Sequence, residues 1–190
     1  MYFRTMKLVH ILGVISIALS FTACQFKSQQ QEAETAATDG YGKSFVGKDN
    51  QHDTLSSLMN VKIPNLKREK TRLGDIIAQN ELTIIDFWAS WCGPCRQEMP
   101  AMIKLYKNYH NKGIEIIGIS LDKEYVDWKN AIDQLGMSWI QLSELRGWEE
   151  SLVQRLNIRA IPHTLLLDKQ GNIIAEGLRA EELQMLISKR

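Results

Sequence analysis

Leu82-Thr83-Ile84-Ile85-Asp86-Phe87-Trp88-Ala89-Ser90-Trp91-Cys92-Gly93-Pro94-Cys95 is the stretch on which the fold turns. Its first seven residues are mostly β-branched or aromatic and carry a single charge, the composition of a strand buried on both faces. Pro94 suits the first turn of a helix, where a missing N–H costs little. A strand feeding straight into that helix places Cys92 among orphan N–H groups at the positive end of the helix dipole, which stabilises a thiolate. Two thiols two residues apart can close a small ring and open it again. This points to dithiol–disulfide exchange, with Cys92 the exposed attacking thiolate and Cys95, one turn in, the shielded resolving thiol.

The flanking sequence supplies the rest of an α/β domain. A helix is expected from about Gly93 to Asn111, kinked at Pro100. Ile114 to Leu121 reads as a second buried strand, and Tyr125 to Leu135 and Trp148 to Leu156 read as helices. Thr164 to Leu167 and Asn172 to Ala175 flank Asp168-Lys169-Gln170-Gly171, which has hairpin-turn chemistry. Arg179 to Ser188 closes the chain as a helix. Upstream, Val61 to Ile63 is a strand end, Pro64 to Thr71 an exposed hairpin and Leu73 to Gln79 a short helix. A β-α-β half followed by a β-β-α half predicts a mixed central sheet with helices on both faces. Glu149-Glu150, Glu181-Glu182 and Lys67-Arg68-Glu69-Lys70 read as solvated faces.

The N-terminus carries a different message. Arg4 and Lys7 precede an apolar run from Leu8 to Leu19, which ends in Phe21-Thr22-Ala23-Cys24. A positive flank, a short apolar run and small residues before a break are the pattern of a secretory signal. The run is shorter than the roughly 20 residues that span a bilayer. Phe21-Thr22-Ala23-Cys24 resembles a bacterial lipobox, although Phe21 stands where leucine is favoured. The expected layout is a lipoprotein signal at 1–23, a flexible tether at 24–53 and a globular domain at 54–190, with lipid on Cys24. Removing the signal leaves 21 basic residues (23 less Arg4 and Lys7) against 22 acidic ones, so no strong field argues for nucleic acid.

Three cysteines are too few for a disulfide scaffold. A CxxC pair is also half of a zinc site, but zinc needs two more ligands, and His10, His52, His110 and His163 lack ligand spacing. No metal and no cofactor beyond the Cys92–Cys95 disulfide is expected.

Asp86 to Arg96, with Pro100 and Ile161-Pro162 ahead of a hydrophobic strand, closely resembles the active-site framework of thioredoxin. The lipoprotein-type signal, the helix near Tyr125 to Leu135 and the run from Ile161 to Gly171 are more similar to the TlpA/ResA group of membrane-tethered thiol–disulfide oxidoreductases. The resemblance covers roughly Val61 to Arg190 and implies a thioredoxin fold with a helical insertion. It also implies that Pro162 is a cis-proline facing an extended substrate. Trp91, Gly93, Pro94 and Ile161 would line the same groove, and Trp88 would be core. Asp86 matches thioredoxin's buried aspartate, which assists proton transfer at the second cysteine, with a pKa raised by desolvation. ResA-like proteins often lack this acid and use a glutamate elsewhere. Thioredoxin pairs the acid with a lysine on the next strand, where this chain has Gly118. His163 reads either as a pH-sensitive modulator or as a plain surface histidine.

Gly-Pro between the cysteines is the thioredoxin dipeptide, and that type lies near −270 mV, against about −120 mV for the oxidant DsbA. A reductase acting on disulfides of exported proteins is therefore expected, and the resemblance implies a membrane donor of the DsbD/CcdA type to recharge it. Apocytochrome c is the client that ResA-like relatives suggest. Two other readings stay open. A peroxiredoxin-like peroxidase would need a Thr and a Pro where this chain has Ile85 and Ala89. A tethered client-binding lipoprotein would use the Trp91/Pro162 groove without turnover.

Overall fold

The computed structural model describes residues 58–189, so the signal, Cys24 and the tether lie outside the described residues. Lys62–Pro64 (β1) and Lys70–Arg72 (β2) pair as an antiparallel hairpin. Asn65 closes its turn, its Oδ1 accepting the N–H of Lys67 and of Glu69. Leu73–Ile77 (α1) follows. Leu82–Trp88 (β3) leads into Gly93–Tyr109 (α2), then a short 3-10 turn at His110–Lys112 and Ile114–Ser120 (β4). Tyr125–Leu135 (α3) crosses to Ile140–Leu142 (β5), and Ser151–Arg155 (α4) leads to His163–Asp168 (β6), Ile173–Glu176 (β7) and Ala180–Ser188 (α5).

The five-stranded sheet has the order β5-β4-β3-β6-β7. β3 and β4 are parallel, β4 and β5 are parallel, and β6 runs antiparallel to both β3 and β7. Mixed direction follows from connection type: α2 and α3 make crossovers, whereas a tight turn through Gly171 makes the β6–β7 hairpin. Every residue of β3 and β4 is buried, so the helices cover both faces of the central strands. This is the mixed, helix-flanked sheet that the sequence predicts. Among the described residues no helix is long and apolar enough to cross a membrane.

Three expectations need correction. Trp148 to Leu156 is not one helix: a 3-10 turn at Gly147–Glu149 and α4 are separated at Glu150, whose φ of −48° and ψ of 130° are not helical. The cause is the Glu150 side chain, which is fully buried rather than on a solvated face. Its Oε1 accepts the N–H groups of Glu144 and Arg146 and the Ser143 hydroxyl, folding the loop around itself. The third correction is β5, three residues long and unforeseen in the sequence. The helix at Pro100 runs on unbroken to Tyr109.

Candidate active site

β3 delivers the chain to the site and α2 receives it. Ala89 to Trp91 bridge the two, and this loop is pinned from the side. Asp122 accepts from the Ser90 N–H at 3.0 Å, from the Ser90 hydroxyl at 2.6 Å and from the Ser120 hydroxyl at 2.7 Å. Asp122 is itself buried, so a charged acceptor beyond the end of β4 fixes where the helix begins.

Cys92 is the N-cap of α2, and its Sγ accepts the N–H of Cys95 at 3.2 Å. Cys92 and Cys95 form a disulfide with Cα atoms 5.3 Å apart. In this oxidised state Cys92 is only 5% exposed and Cys95 is fully buried. The order of accessibility is the expected one, but Cys92 is not openly exposed, because its sulfur is turned inward to Cys95. Gly93 and Pro94 lie exposed over the pair, and a Cβ built on Gly93 would meet nothing within 4 Å. Trp91 is 57% exposed beside them, while Trp88 is wholly buried.

The antiparallel register of β3 and β6 pairs Phe87 with His163. Ile161 and Pro162 therefore enter at the end of β3 from which the cysteines emerge. The Ile161–Pro162 peptide bond is cis, and both residues are half-buried. His163 does not share the face of Asp86, one residue away along β3, because successive side chains alternate across a strand. Its ring tilts on Phe87 at 6.2 Å, and burial lowers its pKa against a smaller upward pull from Glu176. Its imidazole therefore lies on the face opposite Asp86, half-buried rather than on the open surface.

Asp86 is 2% exposed, and its Oδ2 is buried with no hydrogen-bond partner. Burial pushes its carboxyl from an ordinary 3.8 up to about 7; the Glu98 carboxylate adds to the rise, and the Arg179 guanidinium opposes it. Glu98 lies one turn beyond Cys95 on α2 and was not evident as a site residue in the sequence. It is ion-paired with Arg179 and accepts the Ala180 N–H at 2.8 Å, tying α2 to the first turn of α5. Asp86 thus senses a charge pair contributed by two helices. Glu98→Gln is expected to lower the Asp86 titration midpoint and Arg179→Gln to raise it. Carbon-13 NMR of the Asp86 carboxyl reads both, and equal midpoints in the two variants would contradict this electrostatic account.

The register places Gly118 opposite Asp86, where thioredoxin has its lysine. Any side chain there would displace the Gln141 amide. A Cβ on Gly118 would lie 2.4 Å from Oε1 of Gln141, whose side chain covers it. Gln141, on β5, is a second residue that sequence reading missed.

The comparisons with known proteins agree with this geometry. The family profile described as Thioredoxin-like matches residues 80–173. A thiol–disulfide oxidoreductase ResA from Bacillus anthracis is 29% identical over 183 residues, which cover 96% of this chain and 92% of the relative. A thiol–disulfide oxidoreductase from Bacteroides fragilis has a solved structure with a TM-score of 0.63 and 30% identity, covering 68% of this chain and 95% of that one. The chain belongs to the thioredoxin-like thiol–disulfide oxidoreductases. The thioredoxin domain of a Bacteroides vulgatus thiol–disulfide oxidoreductase aligns comparably, with a TM-score of 0.62, 30% identity and 68% and 91% coverage. For such an oxidoreductase the disulfide at the N-terminus of α2 is the redox centre.

Proposed function

We propose that this oxidoreductase works as a reductase outside the cytoplasm, tethered to a bacterial membrane through lipid on Cys24. The observation that carries the direction is local: Gly93-Pro94 separates the thiols, and Arg96 is the nearest cation in sequence, outside the pair. The N-cap position and the Cys95 N–H stabilise a Cys92 thiolate, but no positive side chain between the sulfurs adds to it. The strong oxidant DsbA owes its potential to a heavily stabilised reduced form, and that extra stabilisation is missing here.

The reduced enzyme would act in two steps. The Cys92 thiolate attacks one sulfur of a client disulfide, forming a mixed disulfide and expelling the other client sulfur as a thiolate. Asp86, as carboxylate, then takes the Cys95 proton. The Cys95 thiolate attacks Sγ of Cys92, freeing the second client thiolate and leaving the Cys92–Cys95 disulfide. Two electrons pass from the dithiol to the client, and a membrane dithiol donor of the DsbD/CcdA type would restore them. Trp91, Gly93, Pro94, Ile161 and Pro162 meet at one end of the sheet and would form the groove for an extended client segment. Disulfides in exported proteins, apocytochrome c among them, are the proposed substrates.

Equilibration of the pair with a dithiol buffer tests the direction. A potential near thioredoxin's, about −270 mV, is expected, and one above about −180 mV, the range of protein disulfide isomerase, would exclude a reductase.

A further inference from the structure

Four residues occupy one row across the sheet: Gln141 on β5, Gly118 on β4, Asp86 on β3 and Thr164 on β6. They share a face, because paired residues in a sheet point the same way. Thr164 is satisfied, its hydroxyl donating to the Leu178 carbonyl. The other two polar members are not. Oδ2 of Asp86 and Nε2 of Gln141 are both buried without a partner.

The orientation of the Gln141 amide is fixed by chemistry. The indole Nε1 of Trp88 only donates, and it donates to Oε1 of Gln141 at 3.1 Å. The NH2 group must therefore be the free end. The whole amide lies over Gly118, with Oε1 2.4 Å and Nε2 2.8 Å from where a Gly118 Cβ would stand. Asp86 is the next residue along the row, one strand spacing of about 4.8 Å from Gly118. A buried donor and a buried acceptor thus come from columns on either side of Gly118, which has no side chain to stand between them. Leaving both unsatisfied would be costly, and one water with partners on both sides removes the cost.

We propose that Gln141 is a positioning residue for Asp86, joined to it over Gly118 through one buried water. The water accepts the Gln141 N–H and donates to the Asp86 carboxylate. When Asp86 is protonated, the same water accepts its O–H. A lysine at this place would fix the carboxylate in its charged form, whereas a neutral amide and a water favour that form only modestly and still accommodate the protonated acid. Gly118, Gln141 and Trp88 then form one device: the glycine clears the path, the indole holds the carbonyl, and the amide faces the acid. The idea rests on the reading of Asp86 as the proton acceptor for Cys95.

The test is an NMR titration of the full domain with carbon-13 in Asp and nitrogen-15 in Gln side chains. In the unmodified protein the Gln141 NH2 resonances should shift with the same midpoint as the Asp86 carboxyl. In Gln141→Met, which keeps the bulk and loses the donor, the Asp86 midpoint should rise by about one pH unit, as for loss of one hydrogen bond to the charged form. The resolving step in single turnover should move its pH profile by the same amount. A fixed Gln141 signal through the Asp86 titration would overturn the proposal, even if the Met variant does not fold. So would an unchanged Asp86 midpoint in a folded Gln141→Met. The titration needs no client, so coupled midpoints in a protein that reduces no disulfide would uphold the pairing while refuting the proposed function.

Discussion

Asp86→Asn is expected to stabilise the oxidised protein at pH 8 by about 4 kcal/mol while slowing release of the mixed disulfide. Both effects have one cause. The carboxyl has an ordinary pKa of 3.8 and one of about 7 in the fold, because burial and Glu98 disfavour its charge. A raised folded-state pKa means the native state holds its proton more tightly than the unfolded chain. The stabilising contribution is therefore complete below about pH 4 and is lost as pH rises through about 7. The gap corresponds to about 4 kcal/mol at 1.36 kcal/mol per pH unit. Asparagine keeps the shape and cannot ionise, so it avoids the loss. Urea denaturation at pH 4 and pH 8 should show a stability gain only at the higher pH. Equal gains at both would mean that packing, not charge, is responsible. The functional consequence is the opposite: without a carboxylate, Cys95 must lose its proton to solvent. General-base assistance is worth about 10²–10⁴-fold, so the resolving step should slow by at least about 10²-fold near pH 7 and recover in alkali.

The two cysteines should fail differently. Cys92→Ser removes the nucleophile that the helix terminus activates, and reduction of an insulin disulfide should fall at least about 10³-fold. Cys95→Ser leaves that nucleophile in place and removes only the group that completes the exchange. Turnover should fall as far, yet the first half-reaction should proceed and then stop. A peroxidase reading predicts instead that Cys92 consumes hydrogen peroxide. A non-catalytic binder predicts that Cys92→Ser still captures clients without a covalent bond.

The legible parts of this fold were those in which local sequence and tertiary role coincide. β3 and β4 are apolar on both faces because both faces are covered, so their runs announce them. Cys92, Pro94 and Cys95 state a helix start by residue type alone, and the Asp86–Gly118 pairing followed from the resemblance to thioredoxin, whose lysine position falls on Gly118. The rest depended on contacts between distant segments. β5 has three residues and exists because β4 offers an edge for it. Glu150 looked solvated because nothing in its neighbours reveals that Glu144 and Arg146 turn their N–H groups onto it. Glu98 reads as an ordinary helix-surface glutamate until Arg179, 81 positions later, comes to lie beside it. Gln141 gains meaning only once Gly118 and Trp88 are seen around its amide.

In this mechanism Cys92 attacks and Cys95 resolves. Reduced Cys95→Ser mixed with a disulfide-bonded peptide, then digested and weighed by mass spectrometry, tests this most directly. A stable adduct of one peptide chain per protein is expected, linked through Cys92 and released by reductant. No adduct under conditions where the unmodified enzyme turns over, or an adduct of equal yield formed through Cys95 in Cys92→Ser, would contradict it.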